Sequence, residues 1–351
     1  MIDKRLEQTV PALINWFDSC ARQMPWRTDT RPYYVWLSEI MLQQTRVEAV
    51  IPYFNRFIEE VPDIYTLAEI SEEKLLKLWE GLGYYNRARN LKKAAMQIVQ
   101  EYNGQLPKEM KELKKLSGIG SYTAGAIASI AYNEVAPVVD GNVLRVVSRV
   151  LASTADISLA KTKRQMEEDL LQVIPADRPG TYNQALMELG AMVCVPKGKP
   201  HCNECPLNKI CLAYLEDLTD SIPYKAPKKK RKVEKKTVLV IECGEEVVLN
   251  KRPSNGLLAG MYEFPNLEGH MSAIQVMKYM IDQSETSFHI SLLERAVHVF
   301  SHIEWQMIGY RVKLYRKQSK QPMNFVKKDE LETKYAIPTA FHIYKEALES
   351  K

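Results

Sequence analysis

Four of the six cysteines fall within eighteen residues, at Cys194, Cys202, Cys205 and Cys211, with seven, two and five residues between them. Four thiolates in one short loop converge on something central, either zinc or an iron–sulfur cluster. A structural zinc ribbon uses two CxxC pairs and only one occurs here, so the single-loop arrangement favours the cluster and leaves zinc open. The two remaining cysteines, Cys20 and Cys243, stand alone.

Two carboxylates stand out by their surroundings. Glu39 lies in YYVWLSEIML, where Ser38 is its one polar neighbour among Val35, Trp36, Leu37, Ile40, Met41 and Leu42. A carboxyl held there should have its pKa raised by desolvation, as a general acid needs near neutral pH. The alternative is a Glu39 that faces solvent at a helix start capped by Ser38. Just beyond it, Gln43, Gln44 and Thr45 make a polar patch that a core helix would not carry. Asp140, in PVVDGNVLRVVSR, precedes a helix pattern of Val143, Val146 and Val147. It reads as an N-cap, or as a carboxylate that the helix dipole and nearby donors keep ionised to face a developing cation.

Glycine turns supply a third kind of chemistry. In LSGIGSYTAGAIASIAY, residues 116–132, Gly118 and Gly120 open onto a small-residue helix. Backbone N–H groups at such a turn can meet a phosphate, although a tight helix–helix corner would need the same residues. GLGYYNRARN, residues 81–90, places Tyr84 and Tyr85 beside Arg87 and Arg89. This set suits base stacking and phosphate contact, and either tyrosine could equally belong to a core.

The elements that must position these residues change character along the chain. Its 351 residues suit about two domains, and 46% hydrophobic with 26% charged residues excludes a disordered chain. Residues 1 to about 215 carry helical spacing, as in Leu75, Leu78, Trp79 and Leu82, then Leu91, Ala94, Ala95, Ile98 and Val99. A Pro- and Lys-rich stretch, residues 222–236, reads as a linker between domains at 1–221 and 237–351. After it, TVLVIEC and EEVVLNKR read as a hairpin and VHVFSHIEWQMIGYRVKLYR alternates like strands, with helices around Met271–Met280 and Phe341–Leu348. The net charge of +5 is local: residues 225–236 carry +7, which leaves −2 elsewhere. Bulk charge therefore does not argue for nucleic acid. No apolar run approaches the ~20 residues of a bilayer helix and the N-terminus lacks a signal-peptide core, so a cytoplasmic protein that contacts no membrane is expected.

Taken together and in order, these segments resemble the helix-hairpin-helix DNA glycosylase superfamily and, within it, the MutY-type adenine DNA glycosylases. LSGIGSYTAGA is similar to the family's hairpin, PVVDGNVLRV to its Gly/Pro-Asp signature, and the cysteine loop to its iron–sulfur site. PWR at 25–27, SEIMLQQTRV at 38–47, GLGYYNRARNL at 81–91 and NQALMELGAMVC at 183–194 match further motifs. The resemblance covers nearly the whole chain. It implies a mainly α glycosylase domain with a four-cysteine loop holding a 4Fe-4S cluster, followed by a smaller α+β Nudix-like domain.

The resemblance also implies roles. Glu39 would protonate adenine at N7, Asp140 would stabilise an oxocarbenium-like sugar, and Tyr122 and Asn142 would support that site. Arg27 and Glu188 would line the adenine pocket, while Gln44, Thr45, Leu82 and Tyr84 would probe the 8-oxoguanine side of the duplex. Gly118 and Gly120 would meet the DNA backbone. Phe300, Ser301 and His302 match the loop that contacts 8-oxoguanine, although His302 could be an ordinary strand-end residue and Ser301 a turn former. The expected partner is double-stranded DNA with an A:8-oxoguanine or A:G mispair, bound by a monomer that flips the adenine out and works in base excision repair.

Departures accompany the match. The family places one residue fewer between its first two cluster cysteines than the seven found here. Residues 268–285 offer no carboxylate cluster of the kind a catalytic Nudix helix uses for Mg2+, so this module is expected to serve recognition. PKKKRKV, residues 227–233, would pass as a nuclear-localisation signal, while a solvated linker touching phosphates suits the family better. Two rivals differ in kind. An endonuclease III-like lyase needs a Schiff-base lysine where Tyr122 stands, and a non-catalytic DNA-binding metalloprotein has no use for both Glu39 and Asp140.

Overall fold

Apolar residues at helical spacing, Leu6, Val10, Leu13 and Phe17, turn one face of Lys4–Cys20 (α1) toward the interior. The computed structural model describes residues 3–227, 230–283, 287–317 and 322–348. Further helices follow: α2 (Pro25–Thr28), α3 (Pro32–Leu42), α4 (Val47–Glu60), α5 (Ile64–Glu69), α6 (Glu72–Leu78) and α7 (Asn86–Tyr102). Beyond them lie α8 (Met110–Leu113), α9 (Ser121–Ala126), α10 (Gly141–Val150), α11 (Ala160–Leu171), α12 (Pro179–Met192) and α13 (Leu212–Leu215). Among the described residues no helix is long and apolar enough to cross a membrane.

The chain divides into two compact units, Met1–Glu69 with Asn90–Pro227, and Ile70–Arg89 with Lys228–Lys351. In the helical unit, α1 packs with α10, through Val143, Val146, Val147 and Val150, and with α12, through Tyr182, Ala185, Leu186 and Leu189. A buried hydrogen bond of 2.7 Å joins Thr9 to Tyr182 across that core. Helix α3 is central: eight of its eleven residues, Glu39 among them, are buried, and an all-round apolar helix has no solvent face to offer. Helix α9 can approach the irregular segment before α10 because residue 125 is glycine. A Cβ there would stand 2.2 Å from the Pro137 carbonyl oxygen.

In the second unit the strands β1 (Lys232–Cys243), β2 (Glu246–Val248), β5 (Asn266–Glu268), β6 (Phe288–Val299), β7 (Ile303–Leu314) and β8 (Phe325–Lys327) form one sheet, while β3 (Asn250–Lys251) and β4 (Tyr262–Glu263) pair separately. Its order is β6-β7-β1-β2-β8, with β5 also on β1, and the β1–β7 pairing is parallel. Period-two alternation sends Val238 and Val240 into one core with Trp305 and Met307, and Leu239 and Ile241 into another beneath helix α14 (Ala273–Asp282). Helix α15 (His342–Glu346) contributes Tyr344, whose ring fits where Gly309 lacks a side chain.

Two boundaries differ from the sequence expectation. Strand β1 begins at Lys232, so the last five residues of the expected linker belong to the sheet. A charged stretch can do this because the side chains at the start of β1 are largely exposed while its backbone pairs with β7. Within that linker, Lys228 and Lys229 lie outside the described residues. The segment Ile70–Arg89 packs with the C-terminal unit although sequence reading grouped it with the helical half. Its helical spacing is real, and spacing does not say which core receives the apolar face.

Gly125→Ala should therefore cost about 1–3 kcal/mol in denaturant unfolding, the usual penalty of overpacking against backbone. Gly141→Ala, where a Cβ meets nothing within 4 Å, should change stability by less than about 1 kcal/mol.

Candidate active site

Glu39 sits in the last turn of α3, 5% exposed, and burial pushes its carboxyl up to about 7. The alternative of a solvent-facing Glu39 is thereby excluded. The Tyr122 hydroxyl on α9 donates to Glu39 Oε2 at 2.5 Å and opposes the shift, while the negative charge of Asp140 adds to it. Tyr122 is itself pushed far above the ordinary phenol range by burial, so it stays a donor.

Asp140 is the N-cap of α10. Its Oδ1 accepts from the Asn142 and Val143 backbone N–H groups at 2.8 Å each, and its Oδ2 accepts from Asn142 Nδ2 at 2.9 Å. Burial raises its pKa and these three donors pull the other way. Capping and chemistry are thus compatible, because the N–H groups that close the helix also complement a carboxylate. Asn142 is held in turn by Arg145 Nη2 at 2.9 Å, and the same guanidinium binds the Gly190 and Cys194 carbonyls at 2.7 Å each.

One cleft of about 540 Å³ is lined by Glu39, Asp140, Tyr122, Asn142, Arg27, Thr45 and Glu188 together. Its wall also contains Arg22, Trp26, Arg46, Gln184 and Met187, which sequence reading did not single out. For Gln184 a signal existed: it lies one turn from Glu188 on α12, a polar pair inside an apolar helix. Glu188 is 2% exposed, and although burial works to raise it, Arg22 and Arg27 hold its carboxyl down at about 2. Arg22 Nε and Nη2 grip its two oxygens at 2.7 and 2.9 Å, and Arg27 Nη2 adds a contact at 3.0 Å. Arg27 Nε also donates to Gln184 Oε1 at 3.1 Å. Among the described residues no lysine lines the cleft.

Other sequence candidates lie elsewhere. Gln44 is exposed just past α3, with a φ of 63°. Gly118 and Gly120 sit exposed in the turn before α9, where a φ of +76° at Gly118 and Asn90 close beside it both demand glycine. In the second unit Leu82 is buried, Tyr84 is half exposed, and Tyr85 is buried. Phe300, Ser301 and His302 form the β6–β7 turn, closed by Phe300 N–H to the Ile303 carbonyl at 2.8 Å, with Ser301 and His302 exposed.

Arg87 and Arg89, suggested as phosphate ligands, make bonds within their own unit. Arg87 lies over the Trp79 and Tyr84 rings and donates to the Leu82 and Gly83 carbonyls at 3.0 and 3.1 Å. Burial lowers its pKa to about 10. Arg89 pairs with Glu72 at 2.7 Å and donates to the Ala259 carbonyl. A turn rich in glycine needs such ties, and the guanidinium groups supply them.

Cys194, Cys202, Cys205 and Cys211 line one small cavity. Burial raises the thiols of Cys202 and Cys211 and pushes Cys205 up to about 12, so thiolates there require a positive partner. Arg149 Nη1 donates to Cys194 Sγ at 3.2 Å. Four thiols around one cavity are a donor set of the kind that an iron–sulfur cluster or a zinc ion uses.

Comparison with known proteins agrees with this geometry. Residues 37–176 match the HhH-GPD superfamily base excision DNA repair protein family, and residues 237–347 match the NUDIX domain family. A solved thermostable thymine-DNA glycosylase is similar in fold, with a TM-score of 0.56 and 26% identity over 61% of this chain and 98% of that one. Endonuclease III from a non-covalent DNA complex superposes with a TM-score of 0.53 over 62% of this chain and 99% of its own, and at 22% identity speaks for the fold alone. An adenine DNA glycosylase of Mus musculus is 36% identical over 350 residues, covering 83% of this chain and 68% of that protein. One from Buchnera aphidicola subsp. Schizaphis graminum is 34% identical over 306 residues, covering 86% of each. The chain belongs to the adenine DNA glycosylase family of the HhH-GPD superfamily.

Proposed function

We propose that this protein is a monofunctional glycosylase that flips out and excises adenine mispaired with 8-oxoguanine or guanine, leaving an abasic site. The observation that carries the reading is a buried Glu39, its pKa pushed up to about 7, sharing one cleft with the N-cap carboxylate Asp140. Adenine leaves deoxyribose poorly unless protonated, and bond breaking places positive charge on the sugar. Glu39 gives its proton to adenine N7, the C1′–N9 bond pair departs with the base, and Asp140 faces the cationic sugar until water adds at C1′ and passes its proton to the Glu39 carboxylate, restoring the acid. Tyr122 and Asn142 orient the two carboxyls, and Arg27 and Glu188 line the pocket that receives the base.

On the other strand, Gln44, Thr45, Leu82 and Tyr84, with Phe300, Ser301 and His302, read the mispaired purine. Gly118 and Gly120 meet the DNA backbone. Cys194, Cys202, Cys205 and Cys211 hold a 4Fe-4S cluster, which when bound ties the 194–211 loop together. The protein acts on double-stranded DNA as a monomer, in the cytoplasm at the bacterial nucleoid. The lyase rival is disfavoured because Tyr122 donates to Glu39 where that chemistry needs a lysine.

Glu39→Gln should abolish adenine release in single-turnover assays while mispair binding is largely kept, since the amide preserves shape and removes the proton. Asp140→Asn should lose excision as well, and the unmodified enzyme should leave strands intact with no borohydride-trapped adduct. Rapid nicking with trapping would instead identify an acting lysine. Anaerobically prepared protein should contain iron and no zinc by elemental analysis, and Cys202→Ser should lower its iron content.

A further inference from the structure

The segment Ile70–Arg89 is covalently part of the helical half, yet it packs within the C-terminal unit. Its anchor is an ion pair. Lys77 Nζ donates to Glu80 Oε2 at 2.5 Å and to the Leu331 and Tyr335 carbonyls at 3.2 and 3.1 Å, which uses all three of its protons. Glu80 Oε1 accepts from the Ile337 backbone N–H at 2.8 Å. Both side chains are largely covered, at 17% and 14% exposure. Charge-assisted bonds so shielded from water hold a segment far more firmly than a surface pair does.

Four residues beyond Glu80 the same segment presents Tyr84. Its turn is wired internally: Trp79 Nε1 donates to the Gly83 carbonyl at 3.2 Å, and the Gly81 N–H donates to the Tyr85 hydroxyl at 3.2 Å. Tyr84 takes a φ of 48° and is half exposed, and its hydroxyl lies 3.4 Å from Ser301 Oγ in the β6–β7 turn. That turn rests on the same core as the anchor. Phe300 and Trp305 share one apolar cluster with Leu331, Tyr335 and Ile337.

We infer that Lys77 and Glu80 are positioning residues, a latch that seats the Tyr84 turn against the segment 331–337 so that Tyr84 and Ser301 present one rigid edge to the 8-oxoguanine strand. Neither Lys77 nor Glu80 lines the cleft that holds Glu39 and Asp140. This inference rests on the reading that Tyr84 and the 300–302 turn recognise the lesion, and it adds the element that makes them act together.

The test measures single-turnover adenine release by the full chain from A:8-oxoguanine and A:G duplexes. Lys77→Met with Glu80→Gln removes both charges together, so that no buried charge is stranded. The double variant should narrow the preference for the lesion by about tenfold, the scale of one lost hydrogen bond to the reader, with the A:G rate within about threefold of the parent. General destabilisation would lower both rates alike and leave their ratio unchanged. Should the double variant fold poorly by thermal melting, Lys77→Arg, which keeps Glu80 paired and changes only the geometry of the three donors, should show a smaller narrowing. The control, alanine at Phe300, Ser301 and His302, separates two failures. An unchanged ratio in the latch variants with a narrowed ratio in the control overturns the latch. An unchanged ratio in the control overturns the lesion-reading role itself, and the latch with it.

Discussion

Removal of the Glu39 carboxyl from water is the constraint from which the active site follows. An ordinary carboxyl is ionised at neutral pH and cannot serve as an acid. Inside α3, which has no solvent face, the charged form loses its hydration and its pKa moves from 4.5 to about 7. That shift costs the fold stability. Glu39 binds its proton more tightly in the folded than in the unfolded chain, so its contribution is full below about pH 4.5 and is lost as pH rises to about 7, a total of ~3 kcal/mol. Well-packed α1, α10 and α12 offset a site that would otherwise weaken the protein.

Three carboxyls in one cleft meet three environments. Glu39 has a phenol as its hydrogen-bond partner, Asp140 has a helix start, and Glu188 has two guanidinium groups. A proton held near 7, a carboxyl that burial raises against the pull of three N–H donors, and a salt-bridged anchor at about 2 are the consequences. Helix α10 joins this cleft to the cysteine loop. Asp140 caps it, Arg145 one turn in binds the Cys194 carbonyl, and Arg149 a further turn on reaches the Cys194 sulfur. Any shift of the loop therefore bears on the helix whose first N–H groups hold Asp140.

Much of this was legible from residue order because the chemistry leaves unusual neighbours. A glutamate inside an apolar run and an aspartate just before a valine-faced helix each break a local rule, and both breaks mark the cleft. The turn at Phe300–His302 came from the family resemblance, since alternation alone runs through it as if the strands were continuous. What stayed hidden were partnerships over long separations. Arg22 reaches Glu188 across 166 residues, and Lys77 reaches Tyr335 across 258. Arg87 and Arg89 look like nucleic-acid ligands beside two tyrosines, and only the fold shows them bonded to backbone carbonyls and Glu72. Charge type is visible in a sequence, while the acceptor that consumes it is not.

The central claim is that burial keeps a proton on Glu39, and the pH dependence of the glycosidic step addresses it most directly. Single-turnover adenine release from an A:8-oxoguanine duplex, followed from pH 5.5 to 9.5 under conditions where binding is saturated, should fall as pH rises through about 7, by about tenfold per unit well above it. A rate that stays flat to pH 9, with the enzyme folded throughout, would contradict a protonated Glu39 as the source of catalysis.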